Sequence, residues 1–398
     1  MKALNGLRML DITHMLSGPY AGMLLADLGM ETIKVEPPHR GEGTRRLLEN
    51  SEEYSLNGMG AYFLTLNRNK KSVALDLKTE EGKALFYSLV ETSDVVLTNF
   101  SVGVTERLGI DHETLSAINP RIVTCAISGF GETGPKKKHV SFDVVAQGTG
   151  GGMSITGDPE GAPTRSGIPI GDLGGGLMAT IGVLAALQAR EQTGRGQHVD
   201  ISMQDAQISM LNYMATMYFL SGDVPGALAN GHFVHVPYDT FAASDGWFII
   251  AVILDQFWVS LMDIVDAPDL NTPENLVQPG RFKNKAYINH RLSEIFRQEP
   301  KDIWLERLRV ARIPCAPVND FADALNDPQV LARNMVVEVT DVNGDTVKQP
   351  GNPIKLSETH ADTFTAPPTV GQHTDEVLST LGVNAERLNN LRSEGVIS

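Results

Sequence analysis

From residue 7 to residue 130, short β-branched runs alternate with helical patterns, and that alternation leaves few folds open. LRMLDI (7–12) is followed by helical spacing near 18–28 and by ETIKVE (31–36), which makes a βαβ unit. SVALDL (72–77), a helical pattern near 80–91, DVVLTNF (94–100) and RIVTCAISGF (121–130) continue the series. Strands separated by helices pair in parallel, and parallel strands are covered on both faces. The pattern therefore predicts an α/β fold with a mostly parallel sheet. Ligands of such open sheets bind beyond the strand C-termini, which places a crevice among residues 13–18, 37–45, 98–103 and 129–143.

With 398 residues the chain exceeds one ordinary core, so a second, smaller domain is expected. SGDVPGALANG (221–231) reads as a linker, and 236–315 mixes strands with amphipathic helices. The expected division is 1–220 with 317–398 as the large domain and 221–316 as a small α+β domain. In the returning segment, VVEVTDVNGDTVKQP reads as a hairpin turning at Asn343-Gly344. The net charge of -15 repels polyanions, so neither nucleic acid nor an anionic membrane is an expected partner. The two cysteines, Cys125 and Cys315, lack CxxC spacing and read as free thiols of a reducing compartment. The start of the chain has no signal-peptide pattern, and the uncharged stretch Leu173 to Ala189 is shorter than the roughly 20 residues of a membrane span. A buried helix and a cytoplasmic protein are expected.

Several motifs are weak. GFGETG (129–134) matches G-x-G-x-x-G after a strand, but Pro135 and Lys136 to Lys138 replace the apolar helix that should follow. Pro135 also stands where a Walker A motif needs lysine. No G-x-S-x-G elbow is present, and His232 and His235 lack cysteine or carboxylate partners at metal-ligand spacing, so no metal is expected. Asp172 differs. It precedes an apolar helix whose first turns contain Gly174, Gly175 and Gly176. An N-cap explains the aspartate, yet three glycines cost helix stability and suit a close approach of a ligand to backbone. Their amides would face a developing oxyanion. Basic residues recur near the crevice loops at Arg40, Arg45, Lys70, Lys71, Lys78, Arg107 and Lys136 to Lys138, where together they suit a phosphorylated nucleotide. These residues alone describe an α/β enzyme with a nucleotide-like ligand and a poised aspartate.

In LDITHMLSGPYAGMLLADLGMETIKVE, NRNKKSVALDLKTEEG, DVVLTNFSVGVTERLGI, ISGFGETGP, SGIPIGDLGGG, TGRGQHVDISMQDA, VPYDTFAASDGW and GQHTDEVLSTLG, in that order, the chain resembles the class III CoA-transferase family. That family includes formyl-CoA:oxalate and carnitine CoA-transferases and, more distantly, the α-methylacyl-CoA racemases. The resemblance implies a Rossmann-like large domain, a small domain from the middle of the chain, and an interlocked-ring homodimer. It implies that coenzyme A enters as acyl-CoA substrate and that no cofactor is permanently bound. Asp172 would be the catalytic residue, attacking the thioester to give a mixed anhydride and then an aspartyl-CoA thioester.

Carried over position by position, the CoA contacts would be Leu16 and Ser17 after the first strand, Leu75 and Lys78 of LDLK, Asn99, Phe100, Ser101 and Arg107 of the NFS segment, and Asp143. Pro37 stands where relatives often carry a basic residue, which would pass that phosphate contact to Arg40. Val140 and Phe142 stand where formyl-CoA transferases carry lysine and tyrosine. The racemases use a histidine at the position of Phe142, and phenylalanine exchanges no proton, so racemase chemistry is disfavoured. The glycine-rich insertion of oxalate-specific members is missing between Ala229 and Tyr238, so other small mono- or dicarboxylates are the first expectation. Competing readings are a CoA-ester racemase or isomerase, a dinucleotide oxidoreductase resting on GFGETG, and a catalytically silent CoA-binding protein.

Overall fold

The strands of the main sheet alternate apolar side chains between two faces, and helices cover each face. The computed structural model describes residues 1–341 and 343–398. In it β1 (Arg8–Asp11), β2 (Glu31–Glu36), β3 (Lys70–Ala74), β4 (Val95–Thr98), β5 (Val123–Ser128) and β6 (His198–Ser202) form one sheet in the order β3-β2-β1-β4-β5-β6. Every neighbouring pair is parallel. This is the doubly wound dinucleotide-fold order, with its switch point between β1 and β4. Each strand predicted from the sequence is present; SVALDL starts two residues earlier, at Lys70.

Period-two alternation divides the core. Leu10, Ile33, Val73 and Val96 face one layer, where they pack with Phe86 and Leu89 of a helix at Glu80–Glu91 and with Leu378, Leu388 and Leu391 of the returning C-terminal segment. Met9, Val95, Leu97 and Val123 face the other layer, against Leu25, Ala179, Val183 and Leu187. The last four belong to α1 (Ser17–Asp27) and to a 24-residue helix, Ile170–Thr193. That long helix is apolar and long enough to cross a membrane, but half of its most apolar window is buried inside the fold, as suits a core helix.

Its glycines explain how it fits. A Cβ on Gly174 would lie 2.4 Å from Met210 Cε, on Gly175 3.0 Å from Met203 Cγ, and on Gly176 2.6 Å from the Ser17 carbonyl oxygen. The three glycines are packing surfaces towards α1 and towards the kinked helix Met203–Ser221. Their amides lie inside the helical ladder rather than facing a ligand.

The chain divides into two compact units, Met1–Gly152 with Ser166–Leu220 and Pro328–Ser398, and Met153–Arg165 with Ser221–Asp327. Two stretches depart from the expected boundaries: 153–165 and 317–327 go with the second unit. That unit has a three-stranded sheet, Tyr238–Ala242, Trp247–Ala251 and Cys315–Pro317, with Phe241, Phe248, Trp258, Phe296 and Trp304 in its core. In the first unit the hairpin strands are Val336–Thr340 and Thr346–Pro350, joined through Asn343 and Gly344, whose φ of +89° suits glycine.

At the C-terminal end of β1 sits a fully buried charge cluster. The Asp11 carboxylate accepts from Lys70 Nζ at 2.8 Å and from the Thr13 amide at 2.9 Å, and Lys34 Nζ donates to the Thr13 carbonyl at 2.8 Å. Burial pushes the Asp11 carboxyl up, but Lys70 and Lys34 outweigh it and hold the group down at about 2. Its contribution to stability is therefore present above the ordinary value of 3.8 and lost as pH falls through about 2. Lys70→Ala strands the Asp11 charge, so urea unfolding should show a loss of about 3–5 kcal/mol. A loss below about 1 kcal/mol would mean that water reaches the site.

Candidate active site

The loops after β1 and β4 diverge at the switch point, where an open sheet of this order forms its crevice. Asn99, just past β4, ties them together: its Oδ1 accepts from the His14 amide at 2.9 Å and its Nδ2 donates to the His14 carbonyl at 2.6 Å. Met15 follows with φ +63°, a left-handed conformation that costs a non-glycine residue on the order of 1 kcal/mol and sharply turns the loop. On one side lies a cavity of about 570 Å³ lined by His14, Met15, Glu36, Leu75, Lys78 and Phe100, among others. Burial and the nearby Lys34 charge lower the His14 pKa, so its ring is neutral at pH 7. The size lies within the range of ligand pockets.

A second cavity, about 400 Å³ and mostly apolar, is lined by Leu16, Tyr20, Tyr62, Leu173 and their neighbours. Arg68 also borders it, but Asp27 holds that guanidinium through two bonds at 3.1 and 2.7 Å. The loop at 14–16 thus serves as a wall shared by both cavities. Asp172 lies beside the second one, directly before Leu173. It is the third residue of its helix, so it is not the N-cap, which is Pro169. Asp143, first residue of the helix Asp143–Thr149, accepts from the Gly171 amide at 2.8 Å and the Asp172 amide at 3.3 Å. Among the described residues no donor reaches the Asp172 carboxylate. Burial, and then the Asp143 charge, push its pKa up to about 6. Burial and the Asp172 charge push the Tyr62 phenol up to about 12, which keeps it protonated.

The sequence-predicted residues separate into groups. Leu75, Lys78 and Phe100 line the larger cavity and Leu16 the smaller; Ser17 is buried at the start of α1. Asn99 holds the loop from behind. Arg40, Ser101 and Arg107 are exposed and outside both linings, although Arg40 stands between the lining residues His39 and Gly41, and Arg107 directly precedes Leu108. Asp143 spends both oxygens on protein donors, with Oδ2 accepting from Gln147 Nε2 at 2.8 Å.

The set of phosphate-binding cations read from the sequence shrinks. Arg45 is buried in a two-bond pair with Glu36, Lys70 belongs to Asp11, and Lys71 bridges Glu31 and Glu376. GFGETG follows β5 rather than β1, and no helix begins before Asp143, so this is not a dinucleotide fingerprint. His14 and Met15 fall in a crevice loop that the sequence predicts, although nothing in their residue types marks them; Tyr62, in the short helix Ala61–Leu66, carries no sequence signal.

The model of CoA-transferase family III matches residues 4–374. The chain is 38% identical over 355 residues to an acetyl-CoA:oxalate CoA-transferase of Acetobacter aceti, covering 89% of each chain. It is 36% identical over 389 residues to a succinyl-CoA:mesaconate CoA-transferase of Haloarcula marismortui, covering 96% of this chain and 98% of the relative. In structure it is similar to a CAIB/BAIF family protein from Brucella suis, with a TM-score of 0.84, 34% identity, and 96% and 99% of the two chains covered. A match over nearly the whole chain, on a parallel sheet with the crevice where that order places it, means that this chain belongs to CoA-transferase family III and is a CoA-transferase.

Proposed function

We propose that the protein moves CoA from an acyl-CoA to a free small carboxylate through covalent intermediates on Asp172. One observation carries this: a half-buried carboxylate at the head of a core helix, beside a cavity, with no hydrogen-bond donor among the described residues. A pKa near 6 leaves Asp172 mainly ionised at neutral pH and more basic than an ordinary aspartate, as suits a nucleophile. Asp172 attacks the thioester carbonyl, breaking the C–S bond to give an acyl-aspartyl anhydride and CoA thiolate. The thiolate attacks the aspartyl carbonyl, releasing the first carboxylate and leaving an aspartyl-CoA thioester. The acceptor carboxylate repeats these steps in reverse. A thioester is exchanged for a thioester, so no external energy source is required.

CoA would lie in the larger cavity against Leu75, Lys78 and Phe100, with Arg40 and Arg107 at its rim for phosphates and the thioester passing loop 14–16 towards Asp172. Relatives named for oxalate and mesaconate support a small carboxylate acceptor. Phe142 weighs against the racemase alternative because it holds no exchangeable proton. The assembly would be an interlocked homodimer in the cytoplasm. Phe219 and Leu220, 79% and 84% exposed at the end of their helix, suit burial against a second copy.

Incubation with acyl-CoA and trapping with hydroxylamine should place the adduct on Asp172. Asp172→Asn should fold and bind CoA but lose transfer, and an adduct on another residue would overturn the mechanism. Wild-type transfer should fall as pH drops through about 6, because the protonated carboxyl cannot attack. Sedimentation at nanomolar concentration should show a dimer; a folded monomer there refutes the interlocked assembly.

A further inference from the structure

The first turn of the helix 170–193 leaves amides that no helical carbonyl can accept. The Leu173 amide already makes the helix's first i→i−4 bond, to the Pro169 carbonyl at 2.9 Å, and the Ile170 amide donates to the Ile168 carbonyl at 2.8 Å. The remaining two, those of Gly171 and Asp172, both donate to Oδ1 of Asp143. Asp143 is held in turn by Gln147, whose Oε1 accepts from the Ser166 amide at 2.9 Å, while Gln207 Nε2 donates to the Ile170 carbonyl at 3.1 Å. Two segments far from it in sequence, 143–147 and the helix 203–221, thus clamp the head of this helix.

An acidic side chain in a first helical turn ordinarily reaches back to such free amides. The N-cap here is Pro169, which has no N–H, so the free amides left for Asp172 are those of Gly171 and its own; accepting from them would occupy its oxygens and turn them towards the backbone. Resting on the nucleophile reading above, we infer that Asp143 is a positioning residue for CoA transfer: by taking the amides at the head of the helix it keeps Asp172 from capping its own helix and leaves that carboxylate free to attack. This goes beyond the CoA contact that the resemblance implies for Asp143, whose two oxygens both serve protein donors. Its charge acts as well, since a neighbouring anion makes Asp172 harder to ionise and more basic. The titratable groups facing Asp172 are Asp143 and, from the helix 61–66, Tyr62. Tyr20 of α1 packs one turn further on, against Gly176, and the helix 203–221 brings only uncharged Gln207 and Met210 to this end.

Two variants separate cap from charge. Asp143→Ala removes both; Asp143→Asn keeps an oxygen for the Gly171 and Asp172 amides at the expense of the Gln147 bond. Initial rates across pH, with acyl-CoA and an acceptor carboxylate, are read together with trapping of the Asp172 adduct. Asp143→Ala should lower kcat about 100-fold, as a misplaced reacting group does, with KM for acyl-CoA changed less than about threefold. Asp143→Asn should retain more activity and move the acid limb of kcat/KM to lower pH. A merely structural role would lower the active fraction and leave the limb in place, which overturns the inference. A raised KM with unchanged kcat and limb would make Asp143 a CoA contact and equally overturn it. A wild-type protein that forms no adduct on Asp172 removes the nucleophile reading and this inference with it; a wild-type adduct with unaltered variants removes only the role of Asp143.

Discussion

Asp11, closed off from solvent at the end of β1, is the fixed point of the crevice. Lys70 reaches it from β3, and the same ammonium donates to the Pro19 carbonyl at 3.1 Å and Asn67 Oδ1 at 3.0 Å. One buried charge therefore joins the end of β1, the first turn of α1 and the segment entering β3. Lys34 adds a bond to the Thr13 carbonyl, and a Cβ on Gly22 would sit 2.7 Å from Asp11 Oδ2, so α1 can lie this low only with glycine at that position. Buried ion pairs add little net stability compared with apolar packing, but breaking one is costly. The consequence is geometric: the loop that forms a wall of both cavities starts from an anchored residue.

The opposite side of the site is set by close packing. Gly176 lies against the Ser17 carbonyl, so the long core helix approaches α1 at backbone contact and brings its first turn to the strand ends. That approach places Asp172 where burial raises its pKa, without metal ligands among the described residues and without a hydrogen-bond donor. A carboxylate in this state is unusual, because most buried ones are paired or capped. Nearby carboxylates have the ordinary arrangement: Asp27 with Arg68, Glu36 with Arg45, and Asp143 with backbone amides. Of these described neighbours, Asp172 is the acid without a donor, and it is the one the proposed reaction acylates.

The two cavities divide the demands of the proposed chemistry. The larger has a lysine, a neutral histidine and apolar walls, suited to a nucleotide with exposed arginines near its rim. The smaller is mostly apolar and lies next to Asp172, the proposed nucleophile. Loop 14–16, turned at Met15 and gripped by Asn99, borders both.

Local pattern was enough to read the strands and most of the helices of the main sheet. Alternation at Met9-Leu10 and Val95-Val96-Leu97 records two apolar faces directly, and a sheet with two covered faces binds its ligands at the strand ends. Asp172 stood out because glycines beside it break the helical rule. Which aspartate caps the helix was not legible, because Asp143 lies 29 residues earlier and the hydrogen bond exists only once the two helices meet. The same holds for the cations. Arg45, Lys70 and Lys71 read as free charges in one dimension, and their carboxylate partners come from other strands or the far end of the chain. The glycines at 174–176 suit ligand contacts in one dimension, but the space beside them is filled by α1 and the helix 203–221. Periodicity is written along the chain and survives without a fold; charge pairing, capping and close approach are relations between distant segments, and only the tertiary structure decides them.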